Sequence, residues 1–510
     1  MELDGDINNP LWKHPMLYYS KDSLDKTLTT LPTEGLKKEA LKMFKSCQLF
    51  MGVTMDTPSI DYHVSLAQNI VQSCLTHPVL QSELYCQLIK QTSKRPHIVG
   101  KTQPSSSSSD HSSDAHKNPV FLQGWQLLGL CTTLFLPKQK YLCYLKIHLQ
   151  RHADPRNEIG KYAVFCQRSL ERTIQCGGRE AKPSRMEVLS LLLRNPYHHS
   201  LPMSIPVHVL NASYQVVGFD GQTTVREFIQ TLNHHISMRD VKQSGFALFT
   251  NDPSGKNIEH CLQLNVKLCD VISKWERTMI ETGLGGGKTE AHKAIRLTYK
   301  NRLYFRSNTK TETDKEKLLL VYQTNQDIVS GRFPINTELT LELASLLAQI
   351  EYGDYKPSSK SVEFVIEKFC PKRLQDLTAD KKKQLERNLL DKWLSLSGRS
   401  LMECVRLYLT VTRKLPLFSM QLFKAKCKYG KQQEVWIGVK DDGIYILNVK
   451  NMDVLESYTY KSVESFGGCR DDFMLIPSNQ SKLLFSMTKP KYYNDSLHYL
   501  AEQTDTIVIE

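Results

Sequence analysis

Residues Lys161–Val209 read KYAVFCQRSLERTIQCGGREAKPSRMEVLSLLLRNPYHHSLPMSIPVHV, and the order of signals in this stretch decides the architecture. Tyr162, Phe165, Ser169, Leu170 and Ile174 keep helical spacing, and Cys176-Gly177-Gly178 ends that helix. Ser184-Arg-Met-Glu187 then has the form of a capping box, in which a serine hydroxyl and a glutamate carboxylate each satisfy a free backbone amide of a new helix running to Leu193. Asn195-Pro196 stops that helix, and from Ile205 the period switches from helical to alternating. One fold closes here and another opens, with little chain between them. The two halves are therefore expected to move as one unit and to act as one binding platform.

Toward the N-terminus the pattern is helical throughout. Apolar residues recur at helical spacing over Thr33–Gly52, Val64–Leu75, Val79–Thr92, Val120–Phe135 and Lys138–His152, so residues 1–195 read as an all-helical bundle. The serine-rich run at 94–117 has nothing to bury and reads as a disordered insertion.

Toward the C-terminus, IPVHVLN and YQVVGFD read as two strands, and Thr224-Val-Arg-Glu227 as a second capping box opening a helix. GFALFT comes next as a strand and CDVISKWE as a short helix, an order that fits a ubiquitin-like lobe over 204–281. Residues 282–291 read as a glycine-rich linker. Helices return over 292–413, at Glu338–Tyr352, Lys382–Leu396 and Leu401–Thr412. Alternation dominates 414–510, where six or seven short antiparallel strands predict a small barrel or sandwich. The fold class is thus multidomain α+β.

Composition narrows the function. The 510 residues exceed what one core holds, and the net charge of +13 points to an acidic partner such as a membrane surface, tubulin or nucleic acid. No apolar run reaches the roughly 18 to 20 residues of a membrane helix. The opening MELDGDINNPLWKHP is no signal peptide, so a cytoplasmic location is expected. The 13 cysteines form no CxxC pair and sit among apolar residues, as buried reduced thiols do.

Catalytic motifs are absent or imperfect. GxSxG, HExxH and paired-carboxylate patterns do not occur. GLGGGKTE at 283–290 resembles a phosphate loop, but Thr282 stands where the first glycine would be needed and the preceding segment reads as helix. His198-His199 and His234-His235 are adjacent pairs, which diverge on a helix and face opposite ways on a strand; His148 and His152 are four apart but lack a further ligand. No enzyme activity, cofactor or metal is expected. Nucleic acid is not expected either, because the basic stretches lack interleaved aromatics.

Two basic clusters are the candidate binding residues. In QLFKAKCKYGK a strand would place Lys424, Lys426 and Lys428 on one face, with Lys431 in the next turn, suited to an inositol phospholipid headgroup. The alternative is an edge row of lysines that discourages strand-to-strand aggregation. Lys138, Lys140, Lys146 and Arg151 cluster on and beside one helix, a second basic surface suited to an acidic partner.

WKHPMLYYSKDSLDKTLTTLP and AVFCQRSLERTIQCGGREAKPSRMEV resemble a myosin tail homology 4 (MyTH4) domain. The rest of the chain is similar to a FERM module of three lobes: ubiquitin-like, helical acyl-carrier-like, and pleckstrin-homology-like. The resemblance rests on Asp327-Ile-Val-Ser-Gly-Arg-Phe-Pro334, Leu343-Ala344, Gln349-Ile-Glu-Tyr-Gly-Asp-Tyr355, Trp436-Ile-Gly-Val439 and Asp442-Gly443-Ile444. The tandem occurs in unconventional myosin tails and in the pleckstrin-homology-domain-containing family H proteins, to which the wording is closer. It implies a cytoskeletal adaptor at the inner face of the plasma membrane, binding cytoplasmic tails of receptors or adhesion proteins, acidic phospholipids, and microtubules or actin, with Lys138, Lys140, Lys146 and Arg151 as the microtubule contact. Neither a motor nor an extra pleckstrin-homology domain lies in these residues, so a fragment or short isoform is expected. The family's third lobe ends in a long helix that helps form a peptide groove, and YYNDSLHYLAEQTDTIVIE departs from that pattern.

Overall fold

The computed structural model describes residues 18–53, 59–93, 119–198, 201–254, 259–283, 295–357, 361–428, 433–469, 472–478 and 482–487. The serine-rich run, the linker beyond Gly283, Lys431 and everything after Met487 lie outside them, and with them the expectations placed there.

Side-chain caps fix where the first helices begin. Thr33 accepts from the Leu36 amide to open α1 (Glu34–Phe50), Ser59 from Tyr62 to open α2 (Ile60–Thr76), and Asn157 from Gly160 to open α6 (Glu158–Cys176). Between them lie α3 (Leu80–Thr92), α4 (Pro119–Thr132) and α5 (Gln139–His152); α7 (Arg185–Leu192) completes the bundle. Helix α4 is the axis, since every residue from Gly124 to Thr132 is buried, as expected of a helix apolar on all sides. Gly124 permits this: a Cβ there would stand 2.9 Å from Met51 Cε. Burial also explains the thiols, pushing Cys47 and Cys86 up to about 12.

The second half starts with a mixed sheet in the order β2-β1-β5-β3-β4, built from β1 (Met203–Val209), β2 (Tyr214–Phe219), β3 (Phe246–Asn251), β4 (Glu259–Cys261) and β5 (Leu297–Asn301). Helix α8 (Val225–Ile236) covers one face with Val225, Phe228, Ile229 and Leu232. The short α9 (Val241–Ser244) leads into β3, and α10 (Leu268–Glu281) runs longer than the CDVISKWE segment suggested. One expectation is corrected. Leu297–Asn301, assigned by the sequence pattern to the helical stretch from 292, is the middle strand of this sheet, parallel to β1 and antiparallel to β3. Its alternation over five residues, flanked by linker and loop, is too short to announce itself.

The helical lobe comprises α11 (Asp314–Val329), α12 (Thr337–Tyr352), α13 (Val362–Phe369), α14 (Lys372–Gln375), α15 (Ala379–Leu394) and α16 (Leu401–Thr412). Its core is continuous with that of the sheet lobe, one cluster extending from Met203 to Phe418. The Gln349–Tyr355 signature is structural. Gln349 Oε1 and the Gly353 carbonyl both accept from the buried Trp393 indole (3.2 and 3.0 Å), and Tyr352 and Tyr355 flank its ring.

Seven strands complete the described chain, all antiparallel, in the order β10-β11-β12-β6-β7-β8-β9: β6 (Gln421–Cys427), β7 (Glu434–Lys440), β8 (Gly443–Asn448), β9 (Val454–Thr459), β10 (Val463–Cys469), β11 (Asp472–Pro477) and β12 (Leu483–Met487). They curl around a core of their own, centred on Val439, Phe473 and Phe485.

Candidate functional site: the strap between the helical bundle and the ubiquitin-like lobe

The helical bundle keeps its own apolar core, and what joins it to the second half is mostly polar. The joining segment is a strap, residues 177–185, between α6 and α7. Helix α10 presents it a polar row at three-residue spacing, Lys267, Asp270, Ser273 and Glu276, which shares one side of a helix. Lys267 Nζ donates to the Gly177 and Gly178 carbonyls (2.7 and 2.9 Å), and Ser273 Oγ to the Lys182 carbonyl (2.6 Å). Asp270 Oδ1 accepts from Arg179 Nε at 2.9 Å, and Glu276 from the Arg185 amide at 2.9 Å. Leu268, Cys269 and Ile272 turn the other way into the core.

Arg179 is the centre of the strap. Its guanidinium is fully buried, with Asp270 on one side and Glu187 on the other. Burial alone would lower its pKa; the facing Glu187 and Asp270 charges reverse that, raise it, and keep the group charged. Glu187 also closes the capping box of α7, accepting from the Ser184 amide at 2.8 Å. One carboxylate therefore starts a helix and neutralises a buried cation. Helix α7 is itself two-sided: Val188 and Leu191 enter the bundle core while Met186 packs on the core of the second half.

A second, more exposed contact repeats the device. Arg172 donates from Nη1 and Nη2 to Glu227 (3.1 and 3.2 Å) and from Nε to Asp220 (3.3 Å), and Glu227 is the N3 residue of the Thr224 capping box. The hydrogen bonds to Glu227 hold the Arg172 pKa above its ordinary value. Gln222 Nε2 reaches into the bundle, donating to the Thr133 carbonyl (2.7 Å) and Thr173 Oγ1 (3.0 Å). Gly221 allows this approach, since a Cβ there would meet Thr133 Cβ at 3.1 Å.

Sequence reasoning located the strap and both capping boxes but missed Arg172, Arg179 and the α10 row. The row's spacing was visible in KLCDVISKWE; its partner was not.

The lysine row is placed as the strand pattern predicted, with Lys424, Lys426 and Lys428 exposed and Ala425 and Cys427 buried. The edge-row alternative is corrected, because β6 lies in the middle of its sheet between β12 and β7. Two of the three lysines face acids: Lys424 pairs with Glu434 on the adjacent β7 (3.0 Å), and Lys428, just past the end of β6, with Asp472 at the start of β11 (2.7 Å). Lys138, Lys140, Lys146 and Arg151 are all exposed, at the start and along the solvent side of α5. His148 belongs to the core instead, stacked on Trp125 at 5.2 Å and bonded through Nε2 to Thr92 Oγ1 at 2.8 Å, and the half-buried His152 packs against the same Trp125 ring. Among the described residues no group of three or more His, Cys, Asp or Glu is placed to hold a metal, and no helix is long and apolar enough to cross a membrane.

Family models match three consecutive segments: the MyTH4 domain over residues 67–190, the RA like domain over 201–309, and the FERM central domain over 306–423. By these segments and by its fold the chain is a tandem of a MyTH4 domain and a FERM module. Its relatives include the uncharacterized protein CG43867 of Drosophila melanogaster, 46% identical over 556 residues that cover 96% of this chain and 30% of that protein. The mouse pleckstrin homology domain-containing family H member 3 is 27% identical over 68% of this chain and 40% of its own length; the rice kinesin-like protein KIN-14I is 22% identical over 89% and 35%. The chain thus spans 30 to 40% of the length of these relatives. Among solved structures, the human Myosin 7b C-terminal MyTH4-FERM domain, determined in complex with the harmonin-a PDZ3 domain, superposes with a TM-score of 0.75 at 18% identity, covering 95% of this chain and 92% of that one. The Dictyostelium discoideum Myosin VII MF1 domain gives 0.74 at 19% identity, with 96% and 93% covered.

Proposed function

We propose that this chain is a non-enzymatic adaptor whose MyTH4 and FERM halves present one continuous surface to a partner, taking cytoplasmic tails of membrane receptors or adhesion proteins at the cytoskeleton and the inner face of the plasma membrane. The observation that carries the reading is the buried Arg179 bridge. A joint closed by a buried, doubly paired cation and by the polar row of α10 resists hinge motion, because opening it breaks the Arg179–Asp270 bond and the Lys267, Ser273 and Glu276 contacts together. A fixed joint lets one ligand contact both halves without the entropy cost of ordering them first. The Myosin 7b domain with this fold was solved bound to a protein partner, which supports protein binding as the activity. The direct test uses immobilised receptor and adhesion-protein tails: at least one should retain the intact chain and release both separated halves and the Arg179→Ala chain. Retention by one half alone, at the affinity of the whole, would remove the combined-surface reading.

The acidic-partner contacts belong to the same proposal. Lys426, flanked by Lys424 and Lys428, is assigned to phosphoinositide headgroups, and Lys138, Lys140, Lys146 and Arg151 to microtubules, with actin as a further cytoskeletal partner. The second reading, the cargo-binding tail of an unconventional myosin, is favoured by the Myosin 7b and Myosin VII folds and is decided by what lies upstream of Met1 in the full-length product.

A further inference from the structure

Each of the two sheets has two end strands, and three of the four carry the charge that discourages unwanted pairing: Glu259 on the three-residue β4, Glu456 on β9 and Glu464 on β10. β2, Tyr214–Phe219, is the exception. Its sequence YQVVGF has no charge and no proline, and Tyr214 and Val216 are 64% and 47% exposed. The hairpin fixes which backbone groups face outward. Val209 donates to the Ser213 carbonyl at 3.0 Å, and the register pairs Val207 with Gln215 and Ile205 with Val217. By the alternation of an antiparallel ladder these are the mutually bonded pairs, so the N–H and C=O groups of Tyr214, Val216 and Gly218 point away from β1. Among the described residues their only hydrogen bond outside the ladder is a 3.3 Å one from Gln215 Nε2 to the Val216 carbonyl. The solvent side of the strand is apolar: Leu201, 40% exposed, lies over Gly218, where a Cβ would meet it at 3.3 Å, and continues the line of Val216 and Tyr214.

We propose that the free edge of β2 is a docking site for an extended, uncharged segment of a partner protein, which adds to the sheet as a sixth strand. The backbone groups of Tyr214, Val216 and Gly218 supply the pairing, and alternate apolar side chains of the incoming segment lie on Tyr214, Val216 and Leu201. Antiparallel addition is preferred, since it gives the stronger ladder. A second copy is the poorer occupant. Two folded chains meeting along six-residue β2 strands would still need the ~800 Å² per partner of a stable interface, whereas an extended segment is held by main-chain pairing and alternate side-chain contacts alone. The site is separate from the strap and does not depend on the combined-surface reading.

The test pans a phage-displayed library of short random peptides against the intact chain, then measures amide hydrogen exchange with the enriched peptides bound. Val216→Pro removes an outward donor without breaking a bond to β1, and Val216→Lys keeps the donor but places a charge on the edge. The expected result is slowed exchange at Tyr214, Val216 and Gly218, with affinity falling about tenfold in both variants. Agreement of the two variants excludes a folding defect peculiar to proline. The proposal is overturned if no enriched peptide protects these amides, if protecting peptides bind both variants as tightly as the parent, or if the parent sediments as a dimer that Val216→Lys makes monomeric.

Discussion

Arg179 Nε lies 2.9 Å from Asp270 Oδ1, and these two buried side chains, 91 residues apart in sequence, join the helical bundle to the ubiquitin-like lobe. Removing the cation leaves Glu187 and Asp270 facing one another without compensation. Arg179→Ala should therefore cost about 3–5 kcal/mol, as buried pairs do when one partner is deleted. Urea denaturation of the intact chain checks this, and small-angle scattering should show a larger radius of gyration for the variant. A loss below about 1 kcal/mol with unchanged scattering would mean that the joint is held by other contacts.

Arg172 makes the same kind of contact with about a third of its side chain exposed, so solvent screens it. Arg172→Ala should cost only about 0.5–1 kcal/mol, and most of that difference should vanish in high salt. The Arg179→Ala penalty should persist under the same conditions. Comparing the two variants in low and high salt separates the exposed bridge from the buried one.

Acid should weaken the helical bundle through His148. Burial, then the nearby His152 and Arg151, holds its pKa well below the ordinary 6.5, so the folded state keeps this ring neutral while the unfolded chain takes up a proton. The associated stability is fully present above pH 6.5 and is lost as pH falls below it, by at most about 1.4 kcal/mol per pH unit. His148→Phe, which preserves a ring against Trp125, should flatten the dependence of thermal stability on pH between 6.5 and 5. An unchanged slope would place the acid sensitivity elsewhere.

The lysine row makes an unequal prediction. Because Lys424 and Lys428 already face Glu434 and Asp472, Lys426→Glu alone should produce most of the loss in sedimentation with phosphoinositide vesicles. The three-lysine reversal should add little beyond it. If parent and triple variant sediment alike, β6 is not the membrane contact.

For α5, reversing Lys140, Lys146 and Arg151 to glutamate should abolish microtubule pelleting at low ionic strength while leaving thermal stability within about 0.5 kcal/mol, because all three are exposed. Pelleting that survives the reversal assigns it to another surface.

Much of this protein was written locally. The capping boxes at Ser184–Glu187 and Thr224–Glu227 form as their spacing requires, because both partners lie within one helical turn. The alternation of QLFKAKC likewise fixes which side chains of β6 meet solvent, since a strand's period does not depend on its neighbours. Sheet order is different. That β6 is central, that Leu297–Asn301 crosses back to lie beside β1, and that β2 is left as an uncharged edge all depend on which strands pair, a long-range choice made by the packing of whole lobes. The strap shows the same division. Gly177-Gly178 and Ser184 announced a break and a new helix, but what the break would meet was decided only when folding carried Asp270 to the buried Arg179, a charge that is costly to leave unpaired.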